Sequence, residues 1–112
     1  MEETLFTKII ARQIPAKIVF EDQYYIVIED INPQAPVHLL VIPKKVVKTL
    51  NDLTPDDAEM VGGMFLLAAG VMKKLGHSDY RAVFNCGPSA GQTVFHLHLH
   101  VLAGRPFHWP PG

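Results

Sequence analysis

Residues 93–102 read Thr93-Val94-Phe95-His96-Leu97-His98-Leu99-His100-Val101-Leu102. β-Branched and aromatic residues, with imidazole alternating with leucine, predict a strand over this segment. Successive side chains on a strand face opposite ways, so His96, His98 and His100 share one face and Leu97 and Leu99 the other. Neighbouring histidines then stand roughly 6.6–7 Å apart along the backbone, which lets two imidazoles reach one phosphoryl group. The chain has 6 histidines, and placing three of them within five positions favours a function over a solvated strand face. Imidazoles two apart on a strand can also share a zinc ion, although no Asp, Glu or Cys lies within the strand to complete a ligand set.

The segment just upstream, Gly87-Pro88-Ser89-Ala90-Gly91-Gln92, is glycine-rich and followed by the hydroxyl of Thr93. Backbone N–H groups and hydroxyls in such a turn can form an anion-binding nest, which would place a phosphate beside the histidines. It is not a P-loop, because Gly-Lys-Ser/Thr is absent and a strand follows instead of a helix. By itself it serves equally well as a hairpin connection from a strand expected over 81–86.

Further out, 4–13 is expected to be a short helix ended by Pro15, with Leu5, Phe6, Ile9 and Ile10 on one side. Residues 17–21 and 24–29 read as strands joined at Asp22-Gln23, and 38–42 as a third strand stopped by Pro43. Asn32, Pro33 and Pro36 make 30–37 a loop. The long helix is expected over 55–75, with Thr54 as N-cap, Pro55 in the first position, Asp56 and Asp57 at its positive end and Gly76 as its stop. Its second half, Met64 to Met72, is apolar all round, so a second subunit is expected against one side. Gly62, Gly63 and Gly70 each cost roughly 1 kcal/mol in a helix, which close backbone approach would offset. Helix, three strands, helix and two strands with short connections imply an α+β domain with a five-stranded antiparallel sheet.

The 112 residues suit one domain, with 48% hydrophobic and 19% charged residues. Ten basic against eleven acidic side chains leave a net charge of −1, which argues against a nucleic-acid polymer as partner. The single cysteine, Cys86, forms no internal disulfide. The start Met1-Glu2-Glu3-Thr4 has no signal-peptide pattern and the apolar run at 64–72 is too short for a bilayer, so a cytoplasmic protein without membrane partners is expected.

The chain as a whole resembles the histidine-triad (HIT) superfamily, and specifically its Hint branch of nucleoside phosphoramidate hydrolases. The resemblance rests on Ile14-Pro15-Ala16-Lys17-Ile18, Asp30-Ile31-Asn32-Pro33-Gln34-Ala35-Pro36, Val41-Ile42-Pro43-Lys44-Lys45, Gly91-Gln92-Thr93-Val94-Phe95-His96-Leu97-His98-Leu99-His100-Val101, and His108-Trp109-Pro110-Pro111-Gly112. The histidine motif marks the superfamily and the Trp-Pro-Pro-Gly ending the branch. The resemblance implies a single HIT domain over 1–112, paired in a homodimer whose two sheets join into ten strands. It also implies metal-independent cleavage of AMP or GMP phosphoramidates, with no cofactor. His98 would be the nucleophile and would form a nucleotidyl-imidazole. His100 would bond the phosphate or leaving group, His96 would support His98, and His38 would orient them. Asn85, Gly91, Gln92 and Thr93 would line the phosphate side, with Thr93 or His100 supplying the leaving-group proton. Asp30 would hold the ribose.

Leu5, Phe6, Ile9, Ile28, Ile31 and Leu40 would form the base slot, although by composition they read as plain core. Trp109 would reach the partner's site. Thr93 stands where the branch usually has Ser, and Glu29 and Val46 stand where it often has His. Cys86 and Pro88 alter the loop after Asn85. These departures bear on leaving-group preference. Two other readings stay open: a nucleotide-binding regulatory protein with incidental hydrolysis, and a dinucleoside polyphosphate hydrolase, against which the Trp-Pro-Pro-Gly ending speaks.

Overall fold

The computed structural model describes residues 3–112. Helix α1 (Leu5–Ile10) leads into β1 (Ile18–Glu21), β2 (Tyr25–Glu29) and β3 (Val37–Pro43), followed by α2 (Ala58–Lys74), β4 (Tyr80–Val83) and β5 (Leu99–Ala103). The strands form one sheet in the order β1-β2-β3-β5-β4, with every neighbouring pair antiparallel. This is the expected α+β architecture.

Strand alternation sorts the side chains into two layers. Val27, Leu39, Val41, Leu99 and Val101 pack with Met64, Ala68 and Met72 of α2. Ile26, Ile28, Leu40 and Ile42 face the other way and pack with Phe6 and Ile9 of α1. His38 and His100 lie on this second face too, since Leu40 pairs with His100 and His38 with Leu102. The sheet therefore carries a bulk core on the α2 side and leaves the α1 side, only partly covered by a six-residue helix, for a cleft.

Several boundaries differ from expectation. Helix α1 ends before residue 11, because Arg12 adopts φ +62° and Gln13 N–H turns back to the Lys8 carbonyl; Pro15 is not its stop. Residues 55–57 form a 3-10 turn, and the α-helix begins at Ala58. Thr54 and Asp57 form a capping box, and Gly76 at φ +84° ends the helix. β3 takes in Val37 and Pro43, and β4 covers 80–83 instead of 81–86.

The largest correction concerns the histidine strand, which begins only at Leu99, so that His96 and His98 precede it. The β3–β5 register, running from Val37↔Ala103 to Val41↔Leu99, would next bring Pro43 opposite Leu97. Proline has no N–H to continue a ladder. Leu97 N–H instead donates to the Val47 carbonyl at 2.7 Å. Leu97 and Leu99 nevertheless enter the α2 core together, so the alternation persists beyond the ladder.

On α2, Met64, Ala68 and Met72 are buried, whereas Phe65 and Leu66 are 46% and 76% exposed. One apolar side of the helix thus has no cover within the chain. Of the three helical glycines, only Gly63 meets a close neighbour: a Cβ there would lie 2.2 Å from the Tyr25 hydroxyl. Among the described residues no helix is long and apolar enough to cross a membrane.

Candidate active site

A cleft of about 790 Å³ opens between α1 with the turn after it, the end of β2 with Leu40 of β3, and the histidine segment. One part is walled by Leu5, Phe6, Ile9, Ile28, Ile31 and Leu40, the six residues expected to form a base slot. The other part is walled by His98, His100, Gly91 and Thr93, and Asp30 also faces the cleft. Ile14, Pro15, Ala16, Lys17, Glu29 and Val94 line it as well. The sequence placed none of these in the cleft wall, and nothing in the pattern of residues 14–17 shows that the turn after α1 folds back over the sheet.

The four histidines divide into two hydrogen-bonded units. In the first, Nδ1 of His98 lies 2.7 Å from the His96 carbonyl oxygen. A carbonyl only accepts, so Nδ1 carries the proton, and in the neutral ring Nε2 is the nitrogen with the free lone pair. His96 itself is fully buried, its Nε2 donating to the Pro43 carbonyl at 2.7 Å and its Nδ1 lying 2.8 Å from the Thr4 hydroxyl. His96 supports His98 through its backbone, and its ring does not line the cleft.

In the second unit the Gln34 N–H donates to Nδ1 of His38 at 3.0 Å. Nε2 of neutral His38 therefore bears the proton and donates to Nδ1 of His100 at 2.9 Å. The remaining nitrogen of His100, Nε2, must then be an N–H. The rings of His98 and His100 stand 5.0 Å apart, centroid to centroid, and Phe6 meets His98 edge-on at 4.9 Å.

Burial holds all four imidazoles below the ordinary histidine pKa, with His100 lowered to about 4 by desolvation and by the neighbouring His98 and His38. The Asp30 carboxylate opposes the shift at His38, His98 and His100. Neutral imidazoles near pH 7 provide one lone pair and one N–H donor facing the same cleft.

Asp30 also completes a donor set that the sequence did not reveal. Its carboxylate, His38 and His100 offer ligand atoms within 4.8 Å of one another, and these three residues are where a metal ion could sit. Asp30 arrives from the loop after β2, far in sequence from the histidine segment, which itself contains no acid. The hydrogen bonds fit such an ion poorly. A metal on Nε2 of His38 would move the ring proton to Nδ1, where it would meet the Gln34 N–H.

The loop before the histidines also differs from expectation. The N–H groups of Ala90, Gly91 and Gln92 donate to the carbonyls of Gly87, Pro88 and Gly87, so they are spent inside the loop instead of forming a nest. The Gln92 side chain is buried, accepting from Gly87 N–H and donating to the Lys48 and Val94 carbonyls. It shapes the loop and does not line the cleft. Asn85 also stays out of the cleft wall, with its amide beside Gly91. Trp109 is 84% exposed and is not part of the cleft.

A family model described as "Scavenger mRNA decapping enzyme C-term binding" matches residues 3–107. An uncharacterised HIT-like protein of Synechocystis sp. is 54% identical over 112 residues, spanning 99% of this chain and 98% of the relative. The crystal structure of a HIT family hydrolase from Legionella pneumophila superposes with a TM-score of 0.95 at 46% identity, covering 98% of this chain and 100% of that one. A HIT family hydrolase from Clostridium thermocellum gives a TM-score of 0.89 at 43% identity over 94% and 93% of the two chains. With its histidine segment, sheet order and full-length relatives all in agreement, the chain belongs to the HIT superfamily.

Proposed function

We propose that the protein is a metal-independent hydrolase of purine nucleoside 5'-phosphoramidates and related AMP esters or anhydrides, acting as one HIT domain. The observation that carries this reading is the bond from His98 Nδ1 to the His96 carbonyl, which leaves Nε2 as a neutral nucleophile in the cleft. Nε2 attacks the α-phosphorus, the P–N bond breaks, and the nucleotide is held on the imidazole. The Nε2–H of His100 and the hydroxyl of Thr93 are the donors through which the departing amine takes its proton. Water then attacks the same phosphorus, frees His98 and restores the proton. The apolar slot takes the purine and Asp30 accepts from the ribose hydroxyls.

The exposed side of α2 supports a homodimer in which Trp109 approaches the partner's cleft. The Trp-Pro-Pro-Gly ending supports phosphoramidates over dinucleoside polyphosphates. Assaying adenosine 5'-phosphoramidate hydrolysis in EDTA, with wild type and His98→Ala, tests the reading. Turnover by the wild type is expected, with a loss of at least about 10³-fold in the variant. A wild type that binds AMP without turnover would make the protein a binding module, and activity abolished by EDTA would restore the metal site.

A further inference from the structure

The Thr4 hydroxyl, just ahead of α1, has two partners. It accepts from Thr7 N–H at 3.1 Å as the helix cap and lies 2.8 Å from Nδ1 of His96. With the His96 proton committed to the Pro43 carbonyl, Nδ1 has only a lone pair, so Thr4 is the donor. Held at both nitrogens inside the protein, the His96 ring cannot turn. The peptide that carries the His96 carbonyl is anchored at its other end by the Leu97 N–H on the Val47 carbonyl, and the pinned ring completes the hold that keeps this carbonyl under Nδ1 of His98. The helix that Thr4 caps carries Leu5, Phe6 and Ile9 into the cleft, and Phe6 packs edge-on against both His96 and His98.

We propose that Thr4 is a positioning residue: through His96 it fixes the orientation and tautomer of His98, and it couples the base-slot helix to the nucleophile. This inference rests on the reading of His98 as nucleophile. Thr4 touches no reacting atom and acts only through His96.

The test compares Thr4→Val, Thr4→Ser and Thr7→Ala by steady-state kinetics and by 15N NMR of the ring nitrogens. Thr7→Ala weakens the same cap, since the Thr7 hydroxyl bridges the Thr4 N–H and carbonyl, but leaves His96 untouched. Thr4→Val is expected to lower kcat about tenfold with KM changed less than about twofold, while Thr4→Ser and Thr7→Ala keep kcat. In the wild type, His96 should be protonated on Nε2 and His98 on Nδ1, and Thr4→Val should mix the His98 tautomers. Three outcomes would overturn the proposal: an undiminished kcat in Thr4→Val, an equal loss in Thr7→Ala, or wild-type His96 protonated on Nδ1. The last needs no variant to fold. An inactive wild type whose His98 tautomer still responds to Thr4→Val supports the positioning and sinks the hydrolase reading instead.

Discussion

Nε2 of His38 lies 2.9 Å from Nδ1 of His100, although the two residues are 62 positions apart and come from neighbouring strands. The Gln34 N–H on the far side of His38 makes the contact directional, with each proton pointing from the loop toward the cleft. His100 presents an N–H to the cleft because His38 has already taken up its other nitrogen.

Removing that donor should matter for turnover more than for binding. His38→Ala frees Nδ1 of His100 and lets the ring choose either tautomer. We expect kcat to fall about tenfold or more, with a smaller change in KM. Steady-state kinetics on a phosphoramidate substrate checks this, and an unchanged kcat would show the relay to be idle.

Stability should fall on the acid side. His38, His96, His98 and His100 all have folded pKa values depressed below 6.5, so the unfolded chain binds their protons more readily. The stabilisation from keeping them neutral is complete above 6.5 and is lost as pH falls from 6.5 toward the value of about 4 at His100. Thermal melts across that window should show a falling Tm, and the acid limb of kcat/KM should lie below 6.5. A Tm independent of pH there would contradict the neutral assignment.

Asp30 accepts the Asn32 N–H through Oδ1 at 2.8 Å and also faces the cleft. If it holds the ribose, Asp30→Asn should raise KM for a ribonucleotide substrate about tenfold. It should also shrink the preference over the 2'-deoxy analogue. Equal KM values for the two sugars in the wild type would remove Asp30 from the ribose site.

Gly63→Ala sets helix propensity against packing. Alanine favours the helix by about 1 kcal/mol, but its Cβ would overlap the Tyr25 hydroxyl, which donates to the Met60 carbonyl at 2.8 Å. Overpacking of this kind typically costs about 1–3 kcal/mol, so a net loss in chemical denaturation is expected. The loss should shrink in a Tyr25→Phe background.

Leu66→Glu tests the proposed dimer. Leu66 is 76% exposed and outside both core clusters, so the substitution should leave the protomer folded. Sedimentation equilibrium should show a dimer for the wild type and a monomer for the variant. A dimeric variant would place the subunit contact elsewhere.

The sequence by itself determined the element order, the antiparallel sheet and the pairing of Leu97 and Leu99 against the three histidines, because these follow from local periodicity and turn chemistry. It also marked the six slot residues and Thr93, through the resemblance. Tertiary structure alone decided which nitrogen of each histidine carries the proton. The tautomers of His96 and His100 are set by partners distant in the chain, Pro43 and Thr4 for the first and His38 for the second. Those of His38 and His98 are set by near neighbours, Gln34 and the His96 carbonyl, that only the folded backbone brings into line. It also ended the histidine strand early, because the register sets Leu97 against a proline, a consequence of pairing and not of propensity. The inward turn of Gln92 and the grouping of Asp30 with His38 and His100 were equally hidden. Gln92 reaches carbonyls at 48 and 94, and Asp30 joins histidines contributed by two different strands, contacts that no local pattern records.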